Sequence, residues 1–185
     1  MAYTEIYIAK RNKTKWKFYG EVHNPWLGAY SFWMKLEEKY LEPLPVNEYG
    51  IQMSRMHRHE KQDEIWHLWF SPKITDAERL VLFSTFDYKY LPYDKIPEMV
   101  KAMREVHWGL MEGNSNFNQQ ADMLESIHIK FSEKEVKAVA INATSVSCHA
   151  DIIGEKYDKD ELGNMYEDYI EGVEWAKKIE SESES

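Results

Sequence analysis

Residues 3–41 read YTEIYIAKRNKTKWKFYGEVHNPWLGAYSFWMKLEEKYL and contain a pair of strands followed by a helix. Ile6 and Ile8 share one face of the first run, because successive side chains of a strand point to opposite sides. A second alternating run begins at Trp16. The polar residues 11–14 separate the two runs, so a β-hairpin is predicted here.

A helix is predicted directly after the hairpin. Asn24 is a favourable N-cap, and Pro25 suits the first helical position because its missing N–H has no partner there in any case. The apolar residues that follow lie on one helical stripe, and they are Trp26, Tyr30, Trp33, Leu36, Tyr40 and Leu41. Pro43 and Pro45 end the helix.

The middle of the chain predicts two further strands. Residues 42–63 are irregular by composition. The segment EIWHLWF at 64–70 alternates in the manner of a strand, and Pro72 closes it. The segment LVLFSTF at 80–86 is continuously apolar, which indicates a buried strand. A capping-box spacing at 75–78 predicts a single helical turn between them.

The second half predicts three helices and one strand. Asp94 caps a helix through about Trp108, a loop around 113–116 leads into a helix to about Lys130, and VKAVAIN at 136–142 is a strand. The last helix begins near Asp160, with its apolar positions at helical spacing. They are Leu162, Met165, Tyr169 and Val173.

Together these elements predict an α+β fold. The order does not alternate regularly between strands and helices, so a mostly antiparallel sheet with an N-terminal hairpin and about four helices on one side is expected. One domain spans residues 1–179, and residues 180–185 form a disordered acidic tail.

The composition predicts a cytoplasmic protein. Cys148 is the single cysteine of 185 residues, so an internal disulfide is impossible. The N-terminus does not have the pattern of a signal peptide, and no apolar run approaches the ~20 residues of a membrane helix. We therefore expect no membrane association.

Charge is distributed unevenly along the chain. The formal net charge is −9, and residues 155–185 contribute −7 of it, from eleven acidic and four basic side chains. An acidic protein binds nucleic acid poorly, because phosphate groups need clustered lysine and arginine. A charged protein partner is favoured instead.

A histidine cluster is the strongest candidate for chemistry, since the common phosphate-binding and nucleophile motifs are missing. On an extended segment, His57 and His59 point to one side about 7 Å apart, close enough to share a metal ion. Glu60, Asp63 or His67 would supply a third ligand. A solvated polar loop is the alternative.

Two weaker patterns favour structural interpretations. Glu-x-x-His occurs at 64–67 and 125–128, a spacing found in di-iron helical bundles, but a chain so rich in glutamate contains such pairs by chance. Cys148, His149 and Asp151 offer a thiol, a base and a carboxylate. Neighbours on an extended chain point to opposite faces, however, which argues against a catalytic group.

An acidic face on the last helix predicts a partner-binding surface. Its carboxylates can mimic nucleic-acid phosphates and occupy the basic groove of a nucleic-acid-binding protein, although such a face is also typical of a solvated amphipathic helix. The residues are Asp160, Glu161, Glu167, Asp168, Glu171 and Glu174.

The segments LVLFSTFD at 80–87, QQA at 119–121 and AINATSV at 140–146 resemble small uncharacterised proteins of bacteriophages and their bacterial hosts. No function accompanies the resemblance. It implies a setting in which accessory proteins of this size inhibit or redirect a host protein, including CRISPR and other defence proteins.

Three functions are therefore open. The first is a non-enzymatic binding protein, without a cofactor, that inhibits a host or defence protein. The second is a metal-dependent hydrolase or nuclease built on His57, His59 and His67. The third is a virion structural or assembly protein. The sequence leaves the oligomeric state open, including a homodimer.

Overall fold

The computed structural model of the protein describes residues 3–23, 25–86, 89–106, 116–142 and 162–183. The strands are β1 (Tyr3–Lys10), β2 (Trp16–His23), β3 (Lys89–Pro92), β4 (Val136–Asn142) and β5 (Gly163–Asn164). The helices are α1 (Pro25–Tyr40), α2 (Asp63–Trp66), α3 (Asp76–Ser84), α4 (Ile96–Glu105), α5 (Asn116–Lys130) and α6 (Met165–Ser183). Short 3-10 turns lie at Arg55–His57, His59–Lys61, His67–Phe70 and Tyr93–Lys95.

The strands form one mixed sheet in the order β2-β1-β4-β3-β5. The β1–β2, β1–β4 and β3–β4 pairs are antiparallel, and the β3–β5 pair is parallel. The predicted α+β class and the mostly antiparallel sheet are confirmed. The hairpin is confirmed as well, with its turn closed by a hydrogen bond from the Lys13 amide to the Lys10 carbonyl at 3.1 Å.

The main core lies between one face of the sheet and the helices. Alternation along each strand sends Ile6, Ile8, Val139 and Ile141 into this core. The opposite face of the sheet carries a smaller buried cluster, in which Tyr7 is completely buried.

The predicted strand at 80–86 is wrong, because residues 76–84 form α3. The Thr75 hydroxyl accepts a hydrogen bond from the Glu78 amide at 3.1 Å, and the Glu78 carboxylate accepts one from the Thr75 amide at 2.9 Å. This capping box begins a nine-residue helix instead of the single turn predicted. Residues 78–84 are all buried, so the helix has no polar face that would reveal its period.

The predicted strand at 64–70 is also wrong. This segment consists of α2 and the 3-10 turn His67–Phe70. Ile65 and Leu68 are buried, whereas Glu64 and His67 are exposed. A spacing of three residues between buried positions belongs to a helical turn and not to a strand.

The last helix begins later than predicted, at Met165 instead of near Asp160. Residues 163–164 pair with β3 as a short strand, and the Asn164 side chain then accepts a hydrogen bond from the Tyr166 amide at 3.1 Å. At its other end the helix continues through Ser183, so residues 180–183 are helical where an acidic tail was expected.

Helix α4 is shorter than the predicted helix from Asp94 to Trp108. A 3-10 turn occupies Tyr93–Lys95, the helix begins at Ile96, and no side chain caps its start. Trp108 and residues 113–115 of the predicted loop lie outside the described residues. Helix α5 and strand β4 match their predictions. Among the described residues, no helix has both the length and the apolar character needed to span a membrane.

Candidate binding surfaces

Helix α6 lies against α3 and the turn His67–Phe70 with one face buried. Met165, Gly172 and Ala176 form the centre of that buried face. The opposite face is exposed to solvent. α6 therefore presents an outward surface about five turns long.

The outward face of α6 combines carboxylates with two large apolar side chains. At 100° per residue, Glu167, Glu171 and Glu174 form the middle of the exposed face. Ile170 lies on one side of them and is 40 % exposed, and Trp175 lies on the other side and is 45 % exposed. The three carboxylates make no ion pair with any described residue. The ion pair that α6 does make in that part of the chain joins Asp168 to Lys89. We call these five residues the α6 face.

Two polar contacts anchor the beginning of α6. The Lys89 ammonium donates a hydrogen bond to the Asp168 carboxylate at 2.6 Å, which ties the helix to β3. The Tyr166 hydroxyl donates a short hydrogen bond to the Glu98 carboxylate of α4. This bond, together with partial burial, raises the pKa of Tyr166 to about 12.

The predicted acidic set is only partly on this surface. Glu167, Glu171 and Glu174 point outward as expected. Asp168 does not belong to the free surface, because its carboxylate is paired with Lys89. Asp160 and Glu161 lie outside the described residues. The acidic face is thus narrower than the sequence predicts and is bordered by apolar side chains.

The three histidines do not lie on an extended segment, as the metal-site hypothesis required. They fall in three separate 3-10 turns. The His57 ring nitrogen Nε2 lies 3.2 Å from the Tyr30 hydroxyl, and the His67 ring packs 5.7 Å from the ring of Phe70. Within the described part of the chain, no three His, Cys, Asp or Glu side chains are grouped closely enough to hold a metal ion. The side chain of His59 is outside that part, so a site that includes it stays a prediction.

In both Glu-x-x-His pairs the glutamate forms a structural hydrogen bond. The Glu64 carboxylate accepts a hydrogen bond from Arg55 at 2.6 Å, and the Glu125 carboxylate accepts one from Arg104 at 2.9 Å. The hydrogen bond from Arg55 lowers the pKa of Glu64, and the smaller effect of burial acts in the opposite direction. Residues 148–151, which include the cysteine, lie outside the described residues.

A groove of about 560 Å³ lies between α1 and the segment 43–54, in the region that the sequence left irregular. Its α1 wall contributes Tyr30, Ser31, Met34, Lys35, Glu37, Glu38 and Leu41, the last of which follows the helix. Its other wall contributes Pro43, Leu44, Gln52, Met53 and Ser54. The wall is mainly apolar, with the polar groups at its floor and rim.

The floor of the groove is fixed by a buried ion pair. The Glu37 carboxylate accepts hydrogen bonds from the Ser54 hydroxyl at 2.7 Å and from the Arg55 amide at 2.9 Å. The Arg55 guanidinium lies 3.2 Å from Glu37 and also donates to the Glu42 carbonyl at 3.0 Å. Burial works against the charge of Arg55, but the hydrogen bonds that Arg55 donates to Glu64 and Glu37 outweigh it and raise the pKa of the guanidinium. The segment is therefore held firmly against α1.

A hydrogen-bonded turn at 46–52 follows the groove wall and exposes its apolar side chains to solvent. Val46 is bridged to Gln52, and the Asn47 side chain accepts hydrogen bonds from the amides of Tyr49 and Ile51, both at 2.9 Å. Val46, Tyr49 and Ile51 are 58 %, 78 % and 60 % exposed. These are three of the six large apolar side chains that are exposed in the described part of the chain. Such a concentration on one ordered turn is typical of a binding surface.

The sequence contained one signal for this turn. Asn47-Glu48-Tyr49-Gly50 has Asn at the first and Gly at the fourth position, which is a favoured β-turn pattern. Gly50 has a φ of 74°, a conformation that glycine adopts without strain. The sequence has no comparable local pattern that predicts the groove, because its two walls are joined by contacts between residues distant in sequence, such as Glu37 with Ser54 and Arg55.

Comparisons with protein-family models, with curated proteins and with solved structures found no match to this chain.

Proposed function

We propose that this protein acts by binding another protein, with the α6 face as its contact surface and a basic region as the complementary surface of the partner. The observation that carries the proposal is the position of Trp175 and Ile170, both about 40–45 % exposed, on either side of three carboxylates that make no ion pair within the described part of the chain.

The chemistry of this face suits protein recognition. Tryptophan is the residue most enriched among those that dominate binding energy, because it combines a large apolar area with few rotatable bonds. Carboxylates around such an anchor accelerate association with a basic surface and select against acidic ones. Glu167, Glu171 and Glu174 supply carboxylates on one side of Trp175, and the Lys178 ammonium lies 5.1 Å from the centre of the Trp175 ring.

The anchoring of α6 favours binding as well. The contacts of Asp168 with Lys89 and of Tyr166 with Glu98 hold the helix in place before any partner arrives. A preorganised surface loses less conformational entropy on association, which increases affinity without new contacts.

The partner that we propose is a bacterial host protein. The resemblance of residues 80–87 and 140–146 to small bacteriophage proteins favours an inhibitor that works in the host cytoplasm. A basic nucleic-acid-binding protein, such as a component of a CRISPR or other defence system, has a surface of the required charge.

A pull-down from bacterial lysate tests the proposal. The tagged protein is used at low salt and at 0.5 M salt, beside the charge-reversal variant E167K/E171K/E174K. The matched control is E21K/E60K/E105K, which makes the same change of charge at three exposed positions on other elements. Captured proteins are identified by mass spectrometry and compared among the three samples.

We expect one partner to be captured by the wild type and by the control at low salt, and to be lost from the α6 variant and at 0.5 M salt. Capture that is equal for all three proteins, or no capture at all, would contradict the proposal.

A further inference from the structure

We propose a second docking site, independent of the α6 face: the groove between α1 and residues 43–54 binds the apolar side of a basic amphipathic helix from a partner protein. The site consists of the groove lining together with the turn at 46–52, and below we call it the α1 groove. It uses no residue of α6.

The walls of the α1 groove are suited to an apolar helix face. Met34 and Met53 lie on opposite walls, with Leu41 and Leu44 beyond them. Methionine has a flexible and polarisable side chain, which adapts to different apolar partners. Grooves that receive amphipathic helices are typically lined in this way.

The turn beside the groove provides fixed anchors. The Asn47 side chain and the Val46–Gln52 bridge hold the backbone, and Tyr49 and Ile51 are exposed, with no described residue that covers them. Leaving two such side chains exposed in an ordered turn is unfavourable in isolation. A partner that covers them gains this apolar area at little cost in conformational entropy.

Charge at the rim selects a basic partner. Lys35 is paired with Glu38 at 2.7 Å, and the floor carboxylate of Glu37 is paired with Arg55. The exposed Glu42 lies between the lining residues Leu41 and Pro43, and the exposed Glu48 belongs to the turn at 46–52. Neither makes an ion pair in the described part of the chain. Two carboxylates beside an apolar groove complement lysine or arginine on the polar side of a helix.

The shape of the groove favours a helix over an extended strand. Its lining runs along α1 from Tyr30 to Leu41, which is about 16 Å or three helical turns. The facing wall is a turn closed by its own bridge between Val46 and Gln52, and not a strand that offers a row of backbone groups for pairing. A partner helix of three to four turns matches this length.

Fluorescence anisotropy with synthetic peptides tests the site. The probe is a fluorescein-labelled helical peptide of about four turns, with leucine on one face and lysine on the other. The comparison peptide keeps every leucine and replaces lysine by glutamate. The protein variants are Y49A/I51A, which removes exposed anchors and leaves the core unchanged, and E42K/E48K, which reverses the rim charge.

The variant E21K/E60K/E105K, whose three exposed positions belong neither to the α1 groove nor to the α6 face, is the control for general attraction between the acidic protein and the basic peptide. Each Glu→Lys change adds two charges, so this variant moves the formal net charge from −9 to −3, whereas E42K/E48K moves it only to −5. We expect each of the two groove variants to weaken peptide binding by about tenfold or more and the control variant E21K/E60K/E105K to weaken it by about twofold or less.

Three results would overturn the proposal. The control variant E21K/E60K/E105K could weaken binding as much as E42K/E48K, which would show general attraction between charges. The glutamate peptide could bind as tightly as the lysine peptide. Light scattering could show a dimer of the protein alone that Y49A/I51A dissociates, in which case a second copy occupies the groove. None of these results depends on the pull-down with the α6 face, so the two proposals fail separately.

Discussion

A Cβ atom on Gly172 would lie 2.7 Å from the backbone oxygen of Trp69. It would also lie 2.9 Å from Cδ of Arg79, whose guanidinium donates hydrogen bonds to the Trp69 carbonyl at 2.7 Å and to the Ser71 carbonyl at 2.7 Å. Real Cβ atoms do not approach a backbone oxygen this closely. α6 can therefore pack this closely against the turn His67–Phe70 because glycine at position 172 has no Cβ atom.

Replacing Gly172 by alanine is expected to destabilise the protein by about 1–3 kcal/mol, because the added methyl group forces α6 away from Trp69. The intrinsic preference of helices for alanine over glycine opposes this by about 1 kcal/mol and is the smaller effect. The free energy of unfolding in urea measures the change. E171A, an exposed substitution in the same helix, is the control and should stay within about 0.5 kcal/mol of the wild type. A G172A protein as stable as E171A would show that the approach is not a constraint.

The contact between Tyr166 and Glu98 predicts a dependence on alkaline pH. The pKa of Tyr166 is raised to about 12 in the folded protein, against about 10 in the unfolded chain. Between pH 10 and 12 the tyrosine is ionised in the unfolded state but still protonated in the folded state. The stability that this hydrogen bond supplies is therefore complete below pH 10 and is lost as the pH rises towards 12.

Absorbance at 295 nm measures this titration. The difference between the wild type and Y166F should be one tyrosine with a midpoint near 12. In E98Q that tyrosine should ionise at lower pH, because the carboxylate that holds the proton is gone. If the tyrosine that is lost in Y166F instead ionises with a midpoint near 10, the hydrogen bond to Glu98 does not form in solution.

Glu78 predicts a dependence on acid pH. This carboxylate is buried, which raises its pKa, but the Lys39 ammonium at 2.8 Å, the Tyr40 hydroxyl and the Thr75 amide together lower the pKa below its usual range. Its contribution to stability is therefore present above the usual carboxyl pKa and is lost as the pH falls through the lowered value.

We expect E78Q to cost about 1–3 kcal/mol at pH 7, because a buried charge-assisted network loses its charge. The difference from the wild type should shrink as the pH falls below about 4. E48Q, at an exposed carboxylate, is the control and should change stability little at either pH. A difference between E78Q and the wild type that does not vary with pH would contradict the lowered pKa.

Arg55 predicts how firmly the floor of the α1 groove is held. Replacing it by methionine keeps much of the volume but leaves the buried Glu37 carboxylate without its cation, which should cost about 3–5 kcal/mol. Thermal unfolding measures the change. R58M, at an exposed arginine of the same segment, is the control and should cost less than about 1 kcal/mol. Equal stabilities for R55M and R58M would show that the ion pair does not fix the segment.

Local chemistry in the sequence predicted the elements that have one buried and one exposed face. The hairpin around residues 11–14, helix α1 after Pro25 and strand β4 all show a clear period or a specific terminal residue. These signals need no knowledge of distant contacts, because the spacing of apolar and polar residues in a half-buried element follows the period of its helix or strand.

The same approach failed where burial is complete or nearly so. Helix α3 is buried on all sides between α4, α6 and the turn His67–Phe70, so LVLF at 80–83 carries no helical period. The capping box at Thr75 and Glu78 is the local signal that indicates the helix. At 64–70 the aromatic residues favoured a strand, while the i, i+3 pair Ile65 and Leu68 indicated the helical turns that form.

The candidate surfaces were predictable only in part. The carboxylates of α6 follow from sequence, but the anchoring role of Asp168 depends on Lys89, which lies 79 residues away. The α1 groove depends on the pairing of Glu37 with Arg55, whose partners cannot be chosen among many charged residues from sequence alone. Contacts of this kind arise from the tertiary fold.

The central claim is that the α6 face binds a basic protein partner, and the most direct measurement is calorimetric titration of the captured and purified partner into the protein. The wild type and E21K/E60K/E105K should bind with the same affinity within about twofold, whereas W175A and E167K/E171K/E174K should each bind about tenfold more weakly or worse. Equal affinity of the partner for all four proteins would contradict the claim.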